Sequence, residues 1–290
     1  MVRFLIPALL LLNASCAEKP VPDFTDKWNA FETRLIRQTK SFQASEPFDT
    51  VKGDIRLVTF PSDSLLLQGL LNTHHIDPES KKPVLVFLHG GFALSYAQME
   101  LLQPFTDAGF IAFAPTYRGE NGNPGYFELF LGEVRDTKAA IRWLAQQSYT
   151  DRENIYVFGW SVGGGIALSL SLHDDIPIKA SGSSAGIYDR DLIKAWATED
   201  DLIVFPYDYR NERENYFRLP LYTLKSMVRP HTTYIGKEDG YAFARNLIDS
   251  LYPDDPLLLK LIEVEGDHRT SLQYAMQAFI RDIQTQGGNN

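Results

Sequence analysis

Short apolar runs that alternate with segments of helical period limit the folds open to this chain more than any other feature of its sequence. Fully apolar runs of this length fit strands that are buried on both faces of a parallel sheet. Their alternation with helices predicts a doubly wound, mostly parallel α/β sheet. The runs are residues 84–88, 110–114, 155–158, 178–180, 232–235 and 258–264. The helices predicted between and after them are residues 96–108, 132–147, 162–173, 241–251 and 271–284.

Two further patterns precede the first of these runs. Apolar side chains at helical spacing predict an amphipathic helix over residues 23–41, which we expect to dock on the main domain. Alternating segments at 51–60 and 65–72 predict an antiparallel hairpin. The apolar side chains of the helix are Phe24, Trp28, Phe31, Leu35 and Phe42.

Composition excludes several classes of protein. With 290 residues, 44% of them hydrophobic, the chain has enough apolar side chains for a large core, which excludes a disordered protein. The formal net charge is −9, and the sequence has no run of basic residues that could bind along a phosphate backbone, so we expect no nucleic-acid partner. Cys16 is the single cysteine, so an internal disulfide is excluded and no metal site can depend on it.

Residues 1–16 have the pattern of a secretory signal. Arg3 precedes an apolar stretch at 4–12, which is shorter than the ~20 residues that cross a bilayer. Ala14-Ser15-Cys16 resembles the lipobox of bacterial lipoproteins, which predicts export, a lipidated Cys16 and attachment to a membrane of the bacterial cell envelope. Asn13 departs from that pattern. Cleavage after Ala17 by the ordinary signal peptidase is the alternative, and it predicts a periplasmic or secreted protein.

A nucleophile motif stands where one apolar strand ends and a helix of small residues begins. The segment Gly159-Trp160-Ser161-Val162-Gly163 has the G-x-S-x-G spacing, with a strand before it and a helix after it. The turn exposes the Ser161 hydroxyl, and a β-carbon at either flanking glycine is expected to collide with the neighbouring strand or helix. The N-terminus of the following helix favours an oxyanion beside the serine.

A second glycine-rich segment, His89-Gly90-Gly91-Phe92, directly follows the strand at 84–88. Its position predicts an oxyanion hole formed by the N–H of Val162 and one N–H from the Gly91 or Phe92 region. We expect His89 itself to be structural, because a base that precedes the nucleophile contradicts the chain order of such folds.

A serine nucleophile needs a base, and the base needs an acid to orient it. His268 lies in a loop between the last apolar run and the last helix, which is the position expected of the base. Asp239 follows the strand at 232–235 and is the predicted acid, with the adjacent Glu238 as the alternative. The remaining histidines are predicted at the surface: His74, His75, His173 and His231.

From residue 65 to residue 283 the sequence resembles the catalytic domain of the prolyl oligopeptidase family, which has an α/β-hydrolase fold. The resemblance lies in the glycine loop after His89, in Tyr117-Arg118-Gly119, in the helix that begins near Glu133, and in the Ser161 motif. It implies a Ser161, Asp239 and His268 triad and the cleavage of short peptides.

The resemblance has one departure. Many family members carry an N-terminal β-propeller that selects substrates, whereas only a helix and a hairpin precede the hydrolase core here. The peptidase specificity is therefore not carried over, and propeller-free relatives include many esterases.

The sequence as a whole predicts a signal at 1–16, a linker and amphipathic helix at 17–50, and an α/β-hydrolase catalytic domain at 51–290. Aromatic residues without a clear period predict an inserted cap at about 184–229 that shapes the substrate pocket. The cap aromatics are Tyr188, Trp196, Phe205, Tyr207, Tyr209, Tyr216 and Phe217.

Three functional hypotheses remain open at this stage. The first is a serine hydrolase that works through an acyl-enzyme, either a peptidase or a carboxylesterase of small or sugar esters. The second is a non-catalytic scaffold of the same fold. The third, a cofactor-dependent enzyme, lacks both the G-x-G-x-x-G and the G-x-x-x-x-G-K-[ST] spacing, so we expect no cofactor and no metal. The sequence gives neither the substrate nor the oligomeric state.

Overall fold

The computed structural model describes residues 23–41, 47–48, 52–77, 79–199, 204–240, 243–253 and 255–287, so Cys16 and the predicted signal lie outside the described residues. Within these ranges the strands form a single sheet in the order β1-β2-β4-β3-β5-β6-β7-β8. The strands are β1 (Ile55–Ser62), β2 (Leu65–Asn72), β3 (Lys82–Leu88), β4 (Ile111–Pro115), β5 (Thr150–Trp160), β6 (Ala180–Ser184), β7 (His231–Gly236) and β8 (Leu259–Val264).

The pairing of these strands confirms the predicted sheet. Strand β2 pairs antiparallel with both β1 and β4, and every other pair in the sheet is parallel. Helices that follow the parallel strands in the chain cover both faces. They are α2 (Tyr96–Glu100), α3 (Gln103–Asp107), α4 (Gly132–Leu144), α5 (Val162–Leu170), α8 (Phe243–Leu251) and α9 (Ser271–Gly287).

Alternate side chains of the central strands build two separate cores. In β3, Val84, Val86 and Leu88 pack into the core on one face, while Leu85 and Phe87 pack into the core on the other. All five are fully buried, which explains why the sequence of this strand is continuously apolar. The central strands are therefore held rigidly from both sides, and the loops at their carboxyl ends start from fixed positions.

The long N-terminal helix predicted at 23–41 is wrong in its extent, because α1 spans only Phe24–Asn29. Residues 30–41 instead form an extended segment that we call the N-terminal arm. Its backbone pairs with distant loops: the Ile36 N–H donates to the Pro206 carbonyl at 2.7 Å, and the Thr39 carbonyl accepts from the Phe127 N–H at 2.9 Å. These hydrogen bonds replace the helical ones, while Phe31 is still buried as expected.

Two other differences from the predicted bounds have a cause that is visible in the sequence. The helix predicted at 96–108 is divided into α2 and α3, and Pro104, which has no N–H to donate, stands in the first turn of α3. The strand predicted at 178–180 is β6, displaced to Ala180–Ser184. Most of this strand consists of buried serines, so it has no continuous apolar run that would predict it.

The region of the predicted cap contains α6 (Arg190–Glu199), α7 (Glu212–Arg218) and a 3₁₀ helix at Pro220–Ser226. Two aromatic side chains of this region, Tyr188 and Tyr207, are buried, with exposed fractions of 2% and 0%. Helix α1 packs on α7, where the Trp28 Nε1–H donates to the Phe217 carbonyl at 2.9 Å. In the described ranges, every helix is too short or too polar to cross a membrane.

Candidate active site

Ser161 occupies a strained turn between β5 and α5. Its φ is 52° and its ψ is −116°, a conformation that L residues rarely adopt and that persists only where the surroundings impose it. The Ser161 N–H donates to the Ser184 carbonyl on β6 at 2.9 Å, which anchors the turn to the neighbouring strand. The half-buried hydroxyl therefore lies at the carboxyl edge of the sheet, beside the N-terminus of α5.

The glycines of the motif are required by contact distances. A β-carbon added at Gly163 would lie 2.0 Å from the carbonyl oxygen of Leu88, and one at Gly159 would lie 2.1 Å from the carbonyl oxygen of Gly163. Both contacts are with backbone atoms, which cannot rotate away as a side chain does. The collision predicted from the sequence at these two positions is therefore confirmed.

The structure brings Ser161, His268 and Asp239 into one chain of contacts. His268 Nε2 is 3.0 Å from Ser161 Oγ, and His268 Nδ1 is 3.0 Å from Asp239 Oδ2. Asp239 is in the loop after β7 and its side chain is 2% exposed, whereas the ring of His268, after β8, is 35% exposed. The Glu238 side chain is exposed to solvent, so the geometry favours Asp239 as the partner of His268.

The residues predicted to form the oxyanion hole come from two segments that meet at the same place. Val162 is the first residue of α5, and the Gly163 N–H donates to the His89 carbonyl at 3.1 Å, which ties the glycine loop to this helix. Gly91 has a φ of +72°. Gly91, Phe92 and Val162 line one small enclosed cavity, so the two segments meet there.

His89 is fully buried beneath the glycine loop and does not contact Ser161. Its Nε2 is 2.8 Å from Glu120 Oε1, an oxygen that also accepts the Tyr117 N–H at 2.7 Å, and its ring stacks on that of Tyr117. These contacts are those of a structural histidine, which is the role that the sequence predicted for His89.

An ionic network that sequence analysis did not foresee supports the loop after β4. The Arg118 guanidinium donates to Asp136 Oδ1 at 2.7 Å and to Glu128 Oε1 at 2.9 Å, and all three side chains are buried. Glu133 is buried in the same region, and one of its oxygens accepts the Glu128 N–H at 2.9 Å. The family resemblance included Arg118 and Asp136 in separate segments, but no pattern in the sequence pairs them.

Two histidines predicted at the surface lie in the interior, so that prediction is wrong for His173 and His231. The Ser181 and Ser183 hydroxyls are 2.7 and 3.1 Å from the two ring nitrogens of His231, which satisfies a buried imidazole without an acid. Burial lowers the pKa of both histidines to about 3. His74 is exposed and His75 half-buried, and the described residues contain no cluster of three metal-ligating side chains.

A groove of about 680 Å³ begins beside the triad. Trp160 and Arg269, the neighbours of Ser161 and His268 in the chain, both line it, and the Trp160 Nε1–H donates to the His268 carbonyl at 3.1 Å. Its other walls are mostly apolar side chains from α9 and from the segment that joins α2 to α3. The groove is thus lined by chain neighbours of Ser161 and His268 and not by those two residues themselves.

Comparisons with known proteins identify a family and several structures that this chain resembles. The model of the prolyl oligopeptidase family matches residues 96–235. An uncharacterized peptidase of Bacillus subtilis, YtmA, is 34% identical over 121 residues, which are 40% of this chain and 46% of that protein. The chain thus spans less than half the length of this curated relative.

Solved structures share the fold at low identity. A Pyrococcus furiosus esterase has a TM-score of 0.60 at 18% identity, and the match covers 83% of this chain and 96% of the esterase. A Pyrococcus horikoshii acylaminoacyl peptidase has a TM-score of 0.59 at 21% identity, covering 81% of this chain and 40% of the peptidase.

The fold is therefore that of the α/β-hydrolases, a class that includes both the esterase and the peptidase. Within that class its central part resembles the prolyl oligopeptidase family, as the sequence predicted.

Stability should depend on pH through Glu133. Burial, reinforced by the nearby Glu128 carboxylate, raises the pKa of Glu133 from 4.5 to about 7. Between these values the folded protein binds more protons than the unfolded chain, so this group's contribution to stability falls as pH rises. Because glutamine does not titrate, Glu133→Gln removes this loss of stability at high pH. Urea unfolding should show that the variant gains stability relative to wild type on going from about pH 5 to about pH 8.

The matched control for this prediction is Glu153→Gln, because the Glu153 side chain is 85% exposed. Its stability relative to wild type should stay constant across the same pH range. A Glu133→Gln difference that is equally independent of pH would contradict the raised pKa.

Proposed function

We propose that this protein is a serine hydrolase that works through an acyl-enzyme. Ser161 is the nucleophile, His268 the general base and acid, and Asp239 the residue that orients the imidazole. The observation that carries the proposal is the pair of 3.0 Å contacts that link Asp239, His268 and Ser161 in this order. The strained backbone at Ser161 adds to it, because such strain is typical of a nucleophile held at the top of this fold.

The mechanism follows from these positions. His268 Nε2 accepts the Ser161 proton while Oγ attacks the substrate carbonyl, and Asp239 stabilises the imidazolium that forms. The N–H groups of Val162 and of Gly91 or Phe92 bind the oxyanion of the tetrahedral intermediate. His268 then donates the proton to the leaving group, and water, activated by the same imidazole, releases the acyl group from Ser161.

The proposed substrates are short peptides, in keeping with the family match and the acylaminoacyl peptidase neighbour. A specific observation supports a carboxylesterase as the second candidate. The match covers 96% of the Pyrococcus furiosus esterase but only 40% of the peptidase, so the fold of this chain corresponds to nearly all of the esterase and to less than half of the peptidase. Small esters, including acylated sugars, are the corresponding substrates.

Ser161→Ala should abolish labelling by a fluorophosphonate probe, which reacts only with an activated serine. A panel of p-nitrophenyl esters and p-nitroanilides with the same acyl groups then separates the two candidates. A peptidase should cleave anilides at rates within reach of the esters, because it must protonate a poor leaving group, while an esterase should cleave esters alone. A folded wild type that takes up no label would reject the catalytic proposal in favour of a non-catalytic scaffold.

Asp239→Asn should lower kcat by up to ~10⁴-fold with folding intact, because the amide no longer fixes the tautomer of His268. Glu238→Gln is the matched control, since it makes the same chemical change one residue earlier on an exposed side chain. Its kcat should stay near that of wild type. The reverse result, with Glu238→Gln as the slow variant, would transfer the orienting role to Glu238.

We also propose that the protein is exported and attached to a membrane of the cell envelope through a lipid on Cys16. The support is the sequence of residues 1–17, with its apolar stretch and its lipobox-like Ala14-Ser15-Cys16. Wild type expressed with a clickable palmitate analogue should be labelled, and Cys16→Ser should not. Ser161→Ala, which leaves the signal unchanged, should be labelled like wild type. An unlabelled wild type found in the soluble periplasmic or secreted fraction would favour cleavage after Ala17.

A further inference from the structure

Two carbonyls of the glycine loop are held by side chains that come from outside it. Gln98, in α2, donates from Nε2 to the Gly90 carbonyl at 3.0 Å. Ser41, at the end of the N-terminal arm, donates from Oγ to the Phe92 carbonyl at 2.5 Å. These two contacts act on different peptide groups of the loop, and only one of those groups carries an N–H predicted to bind the oxyanion.

The Gly90 carbonyl and the Gly91 N–H belong to the same peptide group. A trans peptide is planar, and its N–H points opposite to its C=O. A hydrogen bond that fixes the direction of the Gly90 carbonyl therefore fixes the direction of the Gly91 N–H. By contrast, the peptide group that Ser41 holds carries the N–H of Ala93.

The Gly91 N–H has the properties of a donor kept available for a ligand. None of the described residues accepts it, and Gly91 is only half-buried, so this N–H is free to donate to an acceptor from outside the protein. Gly91 lines the same small cavity as Val162, the other predicted donor. The positive φ of Gly91, +72°, is a conformation that glycine adopts without cost.

Gln98 is itself held at both ends of its amide. Its Oε1 accepts the Ser95 N–H at 2.9 Å in a capping box at the start of α2, while Nε2 reaches the Gly90 carbonyl. The side chain is half-buried, and the two contacts use opposite ends of one planar group. The Gln98 amide thus links the first turn of α2 to the glycine loop through two hydrogen bonds.

We propose that Gln98 is a positioning residue that orients the Gly91 N–H as the second oxyanion donor. The inference rests on the proposed function and deepens it, because it selects Gly91 over Phe92. A hydrogen bond to the Gly90 carbonyl also polarises that amide and strengthens its N–H as a donor. His89 Nδ1 lies 3.3 Å from the same oxygen, a longer contact than that of Gln98.

Gln98→Glu is the sharpest test, because glutamate keeps an acceptor for the Ser95 N–H but turns a carboxylate oxygen toward the Gly90 carbonyl. We expect kcat to fall roughly tenfold, less than the ~10²–10³-fold that loss of an oxyanion donor costs, with KM within about twofold of wild type. A trifluoromethyl ketone, which forms an oxyanion on Ser161, should bind more weakly by the same factor as the loss of kcat/KM. The alcohol product of ester cleavage, which has no carbonyl group to bind at the oxyanion site, should bind unchanged.

Ser95→Ala is the matched control, since it removes the hydroxyl of the same capping box and leaves the Gln98 contact with Gly90 in place. It should lower Tm slightly and keep kcat and the affinity for the ketone. Gln98→Glu at wild-type kcat would overturn the proposal, as would equal losses in ketone and product binding. Failure of the proposed function is distinguishable, because wild type would then also resist the fluorophosphonate probe.

Discussion

The close packing of Gly163 against the end of β3 is the contact on which the rest of the site depends. There is no space for a β-carbon between this residue and the Leu88 carbonyl, so the first turn of α5 lies directly on the backbone of the neighbouring strand. That approach places Val162 beside the glycine loop and holds Ser161 at its unfavourable φ of 52°. Strain at one residue is thereby maintained by packing at another, which is how such conformations persist in folded proteins.

Near this contact, buried polar groups hold the loop after β4 and the glycine loop in place without adding much to the free energy of unfolding. Arg118, Asp136 and Glu128 form an ion-paired cluster whose charges had to leave water, and a cluster of this kind contributes little net free energy. Removing one partner is costly, however, because the others remain buried and unpaired. The network therefore specifies the path of the loop after β4, next to the buried pair of His89 and Glu120 that supports the glycine loop.

Local and periodic features were predictable from the sequence, and features that depend on distant partners were not. The strand at 65–72 has its predicted bounds, and the elements on both sides of Ser161 are where the motif requires them. The arm was missed because the apolar spacing from Phe24 to Phe42 fits a helix, whereas the backbone of the arm pairs with loops far away in sequence. Gln98 and Ser41 carry no motif, since a side chain bound to a carbonyl leaves no mark in the sequence. The catalytic roles of Ser161, Asp239 and His268 remain predictions, although their side chains are in contact.

The N-terminal arm joins two regions that move separately in many enzymes with a cap. At its start Thr33 and Arg34 bind Glu214 on α7, each at 2.9 Å, and at its end Ser41 binds the Phe92 carbonyl beside the nucleophile. The same segment thus contacts both the region of the predicted cap and the glycine loop. A pulling force on the N-terminal end of the arm would therefore act first on α7, through Glu214, and only then on the glycine loop at the edge of the sheet. Any attachment of that end to another body would couple its motion to α7 and to the glycine loop.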